Sequence, residues 1–283
     1  MAIWNKLSQA YLSRNNTLFE AFNLADKDGN IINSFGVASN IPIANGDVDG
    51  YAAIHKFGRN PNVGNAPETV WMHGGKYQYL AVDSPSTLYA YSAESEDSAS
   101  GDAARTITIF GLDNNFNEIE ETVTVGGAAT TLEFLRVYRA FVATAGVTTT
   151  NEGNVLISTG AGGTGTVLAD IGTIGSGTTF GLGQTQLSLY TIPAGKTGYL
   201  TTWNVGCAPM NNKATVLLNS RELDGDTPFR TKDIVDLVGG YHTQNYSTPL
   251  RFPEKTDIEV VAAADTSTII SSSFDIILVD NPA

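Results

Sequence analysis

"ARTITIFGLDNNFNEIEETVTV", residues 104–125, decides the fold. Ile107 and Ile109 fall on one side of an extended chain, and Thr106 and Thr108 on the other. Further along, Ile119, Val123 and Val125 oppose Glu118, Glu120, Thr122 and Thr124. A period of two puts one apolar face on a core and one polar face in water, as antiparallel strands require. "LDNNFN" between them carries the polar turn chemistry of a hairpin connection. Glu121 falls on the apolar side, which predicts a bulge or a sheet edge there.

Composition agrees with this stretch. Of the 283 residues, 42% are hydrophobic and only 16% charged, against about a quarter charged in ordinary globular domains. Thr, Ser, Asn and 29 glycines take the place of charge, and these suit strands and tight turns better than exposed helices. The expectation is an all-β chain. Strand candidates run from "YAAIHKF" through "KYQYLAV", "TLYAYS", "GNVLIST" and "GTVLADI". "LEFLRVYRAFVA" is apolar on both faces and reads as a central, covered strand. Residues 172–183, "GTIGSGTTFGLG", are Gly/Ser/Thr-rich and mark a domain boundary. Beyond them, strands recur from "TQLSLYTI" to "SSSFDIILVD" at roughly ten-residue spacing, as in a sandwich or barrel. Two β-sandwich domains are expected, over residues 50–183 and 184–283, the second jelly-roll-like. Phe274–Val279 is apolar on both faces apart from Asp275, so it should be a central strand.

Residues 1–49 read differently, as an N-terminal arm. Ile3, Leu7 and Tyr11 fall at helical spacing with Trp4 beside them, which predicts a short helix. Leu18, Phe19 and Phe22 make a second apolar cluster before a run of turns. Such a segment has little core of its own and should lie on another surface, of this chain or a neighbour. Trp4, Leu7, Tyr11, Leu18, Phe19 and Phe22 are therefore the candidate partner-binding residues.

Several function classes are disfavoured. A formal net charge of −13 repels phosphate backbones, so no nucleic-acid partner is expected. Cys207 is the single cysteine, which allows neither an intrachain disulfide nor a cysteine metal cluster; it reads as a small buried hydrophobe. The chain has no apolar run of about 18 residues and no secretory leader, which predicts no membrane association and synthesis in a cytoplasm.

Motifs that could carry chemistry are incomplete. Gly195-Lys196-Thr197 resembles the end of a phosphate loop, but Tyr190 stands where the first glycine should be and a strand pattern follows. "IPAGKTGYL" and "FPEKTDIEV" echo each other; Pro193 and Pro253 should each end a strand, with Lys196 and Lys255 at hairpin tips. "DKDGN" would be a calcium loop only with Asp at Leu24 and Glu at Phe35, so it reads as a turn. Asp47 and Asp49 fit either a turn or hard-cation ligation. His55, His73 and His242 lack zinc spacing and read as structural or loop residues. Glu118 and Glu120 share a strand face, which suits solvation better than a glycosidase pair. No Gly-x-Ser-x-Gly elbow occurs. No enzyme class, catalytic residue, cofactor or metal is called for. Tyr77, Tyr79, Tyr89 and Tyr91 fit either a protein interface or ordinary half-burial on a sandwich.

Taken as a set, "GYAAIHKFGRNPNV", "ETVWMHGGKYQYLA", "LYAYSAES", "TITIFGLDNNFNEIEETVTV", "FLRVYRAF", "YTIPAGKTGYLTTW" and "FDIILVDN" resemble a group of virion structural proteins of tailed bacteriophages. The resemblance spans residues 48–281 and leaves the arm unaccounted for. It implies a non-enzymatic virion component and carries over no catalytic residue. In that setting the expected partners are the major capsid protein or other virion proteins and further copies of the chain, a trimer among the candidate symmetries. A decoration or cement protein on the head is the leading expectation. The alternative is a tail- or head-fibre adhesin recognising host-surface glycans.

Overall fold

The chain is all-β, with 57% strand and 3% helix. The computed structural model describes residues 24–25, 31–32, 40–175, 180–223 and 228–282. It divides into two compact units, Met1–Asp49 and Gly50–Ala283. In the first, β1 (Leu24–Ala25) pairs antiparallel with β2 (Ile31–Ile32), and α1 spans Asn40–Asn45. The helix expected around Ile3–Tyr11, and all six candidate partner-binding residues, lie outside the described residues.

The second unit opens with β3 (Tyr51–Val63) and β4 (Glu68–Thr69). Then come β5 (Tyr89–Ser92), β6 (Ala104–Leu112), β7 (Glu118–Thr124), β8 (Arg136–Ala145), β9 (Val155–Ser158) and β10 (Val167–Ile171). Two sheets, β10-β9-β5 and β7-β6-β8, share one core built on Leu88, Ile107, Ile109, Phe134, Val137, Ile157 and Leu168. The opening stretch is its central hairpin: Ile107 pairs with Val123 and Thr108 with Thr122 in unbroken register. Glu121 therefore marks an edge strand and not a bulge. β8 borders β6, and its other side is closed by residues 183–186: Val142 N donates to Gly183 O at 2.8 Å and Thr185 N to Ala140 O at 2.9 Å.

After the short pair β11 (Thr173–Ile174) and β12 (Phe180–Gly181), the chain builds a second sandwich. Its strands are β13 (Leu189–Thr191), β14 (Lys196–Ala208), β15 (Lys213–Glu222), β16 (Arg230–Val238), β17 (Gly240–Phe252), β18 (Thr256–Ala264) and β19 (Thr268–Asp280). One sheet has the order β17-β14-β19-β3; the other is β13-β18-β15-β16, with β4 also on β18. Between them lie Leu200, Trp203, Val205, Phe252, Ile258, Val260, Phe274, Ile276 and Leu278, all nearly fully buried. As expected, the strand containing Phe274–Val279 is central, hydrogen-bonded to β14 on one side and β3 on the other.

Two features differ from the sequence reading. Residues 51–69 open the chain's first sandwich in sequence but belong to the second in space, because β3 pairs with β19 and β4 with β18. Gly58 allows this: a Cβ there would lie 2.3 Å from Ser188 N and 2.4 Å from Val70 O. The lack of a side chain lets β3 close the flank of the sandwich against the 187–188 backbone, where Leu187 N donates to Phe57 O at 2.8 Å. Second, the twin Pro turns are corners, not hairpin tips. Pro193 and Pro253 do end β13 and β17, but each turn carries the chain from one sheet to the facing one. The two corners are bonded together: Ile192 N donates to Thr256 O at 2.9 Å, Lys255 N to Ile192 O at 2.8 Å, and Gly195 N to a Glu254 carboxylate oxygen at 2.5 Å. Gly195 and Lys255 both take positive φ, 72° and 59°, so the glycine of the first corner and the lysine of the second perform the same bend. Lys196 reaches the carboxylate of Asp280 at 2.7 Å and ties the C-terminal strand to the corner.

Candidate functional site

The β17-β14-β19-β3 sheet presents a four-stranded outer face. Alternation turns Ala52, Ile54, Leu200, Trp203, Phe274 and Ile276 inward. The residues between them point out. Register then sets them in rows: Tyr241, Gly206, Ser271 and Arg59; Thr243, Asn204, Ser273 and Phe57; Asn245, Thr202, Asp275 and His55. The rows are knitted across strands. His55 Nδ1 lies 2.6 Å from Asp275 Oδ1, Asn204 Nδ2 donates to Ser273 Oγ at 3.2 Å, and the rings of His55 and Phe57 stack at 5.9 Å. These rows combine small polar side chains with the aromatic rings of Tyr241, Phe57 and His55 and the charged groups of Arg59 and Asp275, and contain no lysine. Aromatic and arginine side chains are the ones enriched at protein interfaces, so Tyr241, Phe57 and Arg59 are the residues of this face suited to docking. His55 and Asp275 resemble part of a catalytic triad, but both are well exposed. Among the described residues no serine or threonine hydroxyl bonds the other ring nitrogen.

A second arrangement joins the two sandwiches. Arg136 leaves β8 and meets Asp257 of β18 in a two-pronged pair, Nε to Oδ1 at 3.0 Å and Nη2 to Oδ2 at 3.1 Å. Its remaining donors reach the carbonyls of Leu80 and Leu135, each at 2.9 Å. Arg221 of β15 holds the same carboxylate at 2.9 Å, and Thr191 donates to it at 2.5 Å. Both guanidinium groups lie over the ring of Tyr79, at 5.0 and 4.5 Å. Tyr79 donates to Glu259 at 3.3 Å. Glu259 is 2% exposed, and burial pushes its carboxyl up to about 7 despite the Tyr79 bond and the nearby Lys76 and Arg221. Lys56 on β3 is also buried, and burial with the charge of Arg139 pulls its amine down to about 7; its Nζ donates to Tyr138 O. With Asp257 fully satisfied and its oxygens turned into the joint, this network locks structure and presents nothing to a substrate.

The remaining sequence candidates are scattered. Tyr77 is buried, its hydroxyl donating to Leu168 O at 3.1 Å, and Tyr79 serves the joint, so the four tyrosines form no surface patch. Glu118 and Glu120 lie on the exposed face of β7. Glu121 turns back to accept the amides of Thr131 and Leu132 at 2.8 Å each; burial opposes its ionisation, but these bonds outweigh that and hold it below the usual range. Asp47 and Asp49 are exposed; Asn45 Nδ2 donates to Asp47 at 3.3 Å. No cluster of three or more His, Cys, Asp or Glu fit to hold a metal occurs among the described residues. Cys207 is buried and unpaired.

Sequence reasoning missed the joint. An arginine inside the apolar run "LEFLRVYRAF" was its one signal, since a lone charge among hydrophobes needs a buried partner.

No protein-family model matches the chain, and no curated protein matches it. A solved structure of infectious bursal disease virus Gt strain is similar at 9% identity, over 83% of this chain and 78% of that chain, with a TM-score of 0.16. A likeness that weak bears on neither function nor fold.

Proposed function

We propose that the chain is a non-enzymatic structural protein of a tailed-bacteriophage virion, attached to the head as a decoration or cement protein. What supports this reading is where the phrases of the resemblance fall. "GYAAIHKFGRNPNV" is β3, "FDIILVDN" ends β19 and "TIPAGKTGYLTTW" runs from β13 into β14. Three stretches far apart in sequence thus occupy adjacent strands of one sheet, β14-β19-β3, and the corner that feeds it. The outer face of that sheet is the surface offered to neighbours in the particle. Acidic charge, −13 overall, suits an outer surface that never meets packaged DNA. Further copies of the chain and the major capsid protein are the partners in this reading, and residues 1–49 are the anchor.

The experiment is removal of residues 1–48 followed by binding to purified heads. The truncated chain should fold yet fail to bind. Binding undiminished by the truncation overturns the anchor role. Exclusive binding to tail tips or isolated host glycans overturns the head assignment in favour of an adhesin.

A further inference from the structure

Two carboxyl groups stand two residues apart on β18, at the joint between the sandwiches, and their surroundings differ. Asp257 takes both guanidinium groups: Arg136 through Nε and Nη2, and Arg221 through Nε at 3.0 Å and Nη2 at 2.9 Å. Glu259 is left with one bond, from the Tyr79 hydroxyl at 3.3 Å. It is 2% exposed, and among the described residues no ion pair reaches it. An ionised carboxylate in this place gives up its hydration and gains no counter-charge in contact, whereas the protonated carboxyl carries no charge to bury.

The segment that sets Tyr79 on Glu259 is residues 76–80, and side chains alone fasten it. None of its amides or carbonyls bonds to another backbone group. Tyr77 N donates to Thr69 Oγ1 at 3.0 Å, the Tyr77 hydroxyl to Leu168 O at 3.1 Å, and Arg136 Nη1 to Leu80 O at 2.9 Å. Gly74 and Gly75 precede it at φ 74° and 67°, and a Cβ at Gly75 would meet nothing within 4 Å, so the segment has an unobstructed hinge. A strap of this kind belongs to the part of a fold that opens locally before the rest. Lys76, Tyr77 and Tyr79 face Glu259 from the strap, Arg221 from β15 and Asp257 from β18 itself; Arg136 of β8 lies over the Tyr79 ring, and β13 brings Leu189 opposite. We propose that residues 76–80 are a pH-operated latch on the joint, closed over the protonated Glu259 and released as that carboxyl ionises. Burial is the largest influence on Glu259 and pushes it up to about 7, past the opposing pull of the Tyr79 bond, Lys76 and Arg221. In the opened, hydrated form the group returns towards 4.5. The closed form therefore binds the proton more tightly, and opening grows easier as pH rises from 4.5 to 7 and levels off above 7. This device stands independently of the assembly reading: either can fail alone.

The test is hydroxyl-radical footprinting of the full chain between about pH 5 and about pH 8, read by mass spectrometry. Tyr77 is 2% exposed and is labelled when the latch opens; Tyr241, 68% exposed, is the internal reference. Labelling of Tyr77 relative to Tyr241 should rise at least about tenfold over this interval, within the roughly seventyfold that a shift from 4.5 to about 7 permits. Trp203, fully buried in the second sandwich, should stay unlabelled throughout, which separates a local opening from unfolding. Glu259→Gln should remove the rise, with circular dichroism checking that the variant folds. If it does not fold, Lys76→Met serves as the second variant: it takes away a charge that favours ionisation and should move the rise to higher pH. Tyr77 labelling independent of pH, a rise that survives in Glu259→Gln, a rise unmoved in Lys76→Met, or Trp203 labelled in step with Tyr77 each overturns the proposal.

Discussion

Replacing Arg136 by Met tests whether the two sandwiches are held by the buried joint. The guanidinium makes two charge-assisted bonds to Asp257 and two to the Leu80 and Leu135 carbonyls. Methionine fills much of the volume but leaves both carbonyls unpaired and half of the Asp257 charge uncompensated. Charge-assisted bonds contribute about 1.5–3 kcal/mol each and an orphaned carbonyl costs about 1–3. Arg221 and Thr191 keep hold of Asp257, which offsets part of the loss. The net expectation is about 4 kcal/mol, in the range for breaking a buried pair. Asp257→Leu should cost more, because it leaves Arg136 and Arg221 without a counter-charge. Urea unfolding followed by circular dichroism gives both values. In the double variant the loss should fall short of the sum of the singles by at least about 2 kcal/mol. A single-variant loss below about 1 kcal/mol, or strict additivity, would refute the claim that this pair fastens the joint.

Other expectations concern the same core. Glu259 sits at about 7 in the fold against 4.5 as a free group. The folded chain therefore binds that proton more tightly, and its stabilising contribution is complete below pH 4.5 and lost as pH rises through 7. Glu259→Gln should flatten this slope and gain up to about 3 kcal/mol over the parent above pH 7; an equal effect at pH 4 and pH 8 would contradict it. Lys56 is displaced the other way, from 10.5 to about 7, so its cost grows as pH falls from 10.5 to 7. Lys56→Met should improve relative to the parent over that interval in thermal melts, and a difference independent of pH would count against the assignment. Gly58→Ala should cost about 3 kcal/mol by forcing backbone apart on the sandwich flank. A neutral result would mean that β3 is not pressed against Ser188.

The alternation in residues 104–125 sufficed for the hairpin of the first sandwich, because there one face is wet and the other dry. The pattern around Phe274 sufficed for a central strand, because both its neighbours are in the same sheet. What the sequence hid were relations between distant segments. Nothing local in "YAAIHKFG" tells that β3 crosses over to β19, since a strand's pattern records that it has a buried face and not which core buries it. The Pro-Lys-Thr echo gave the turns but not their direction: proline ends a strand equally well at a hairpin and at a corner between sheets.

The most direct test of the structural role is the particle itself. Virions purified from the lysate in which this chain is made, with the chain labelled at its C-terminus and imaged by cryo-electron microscopy, should carry the label at regular positions over the head. The copy number should match the shell lattice. Absence of the chain from purified virions would contradict the account, and label confined to the tail tip would move it from the head to the host-contacting apparatus.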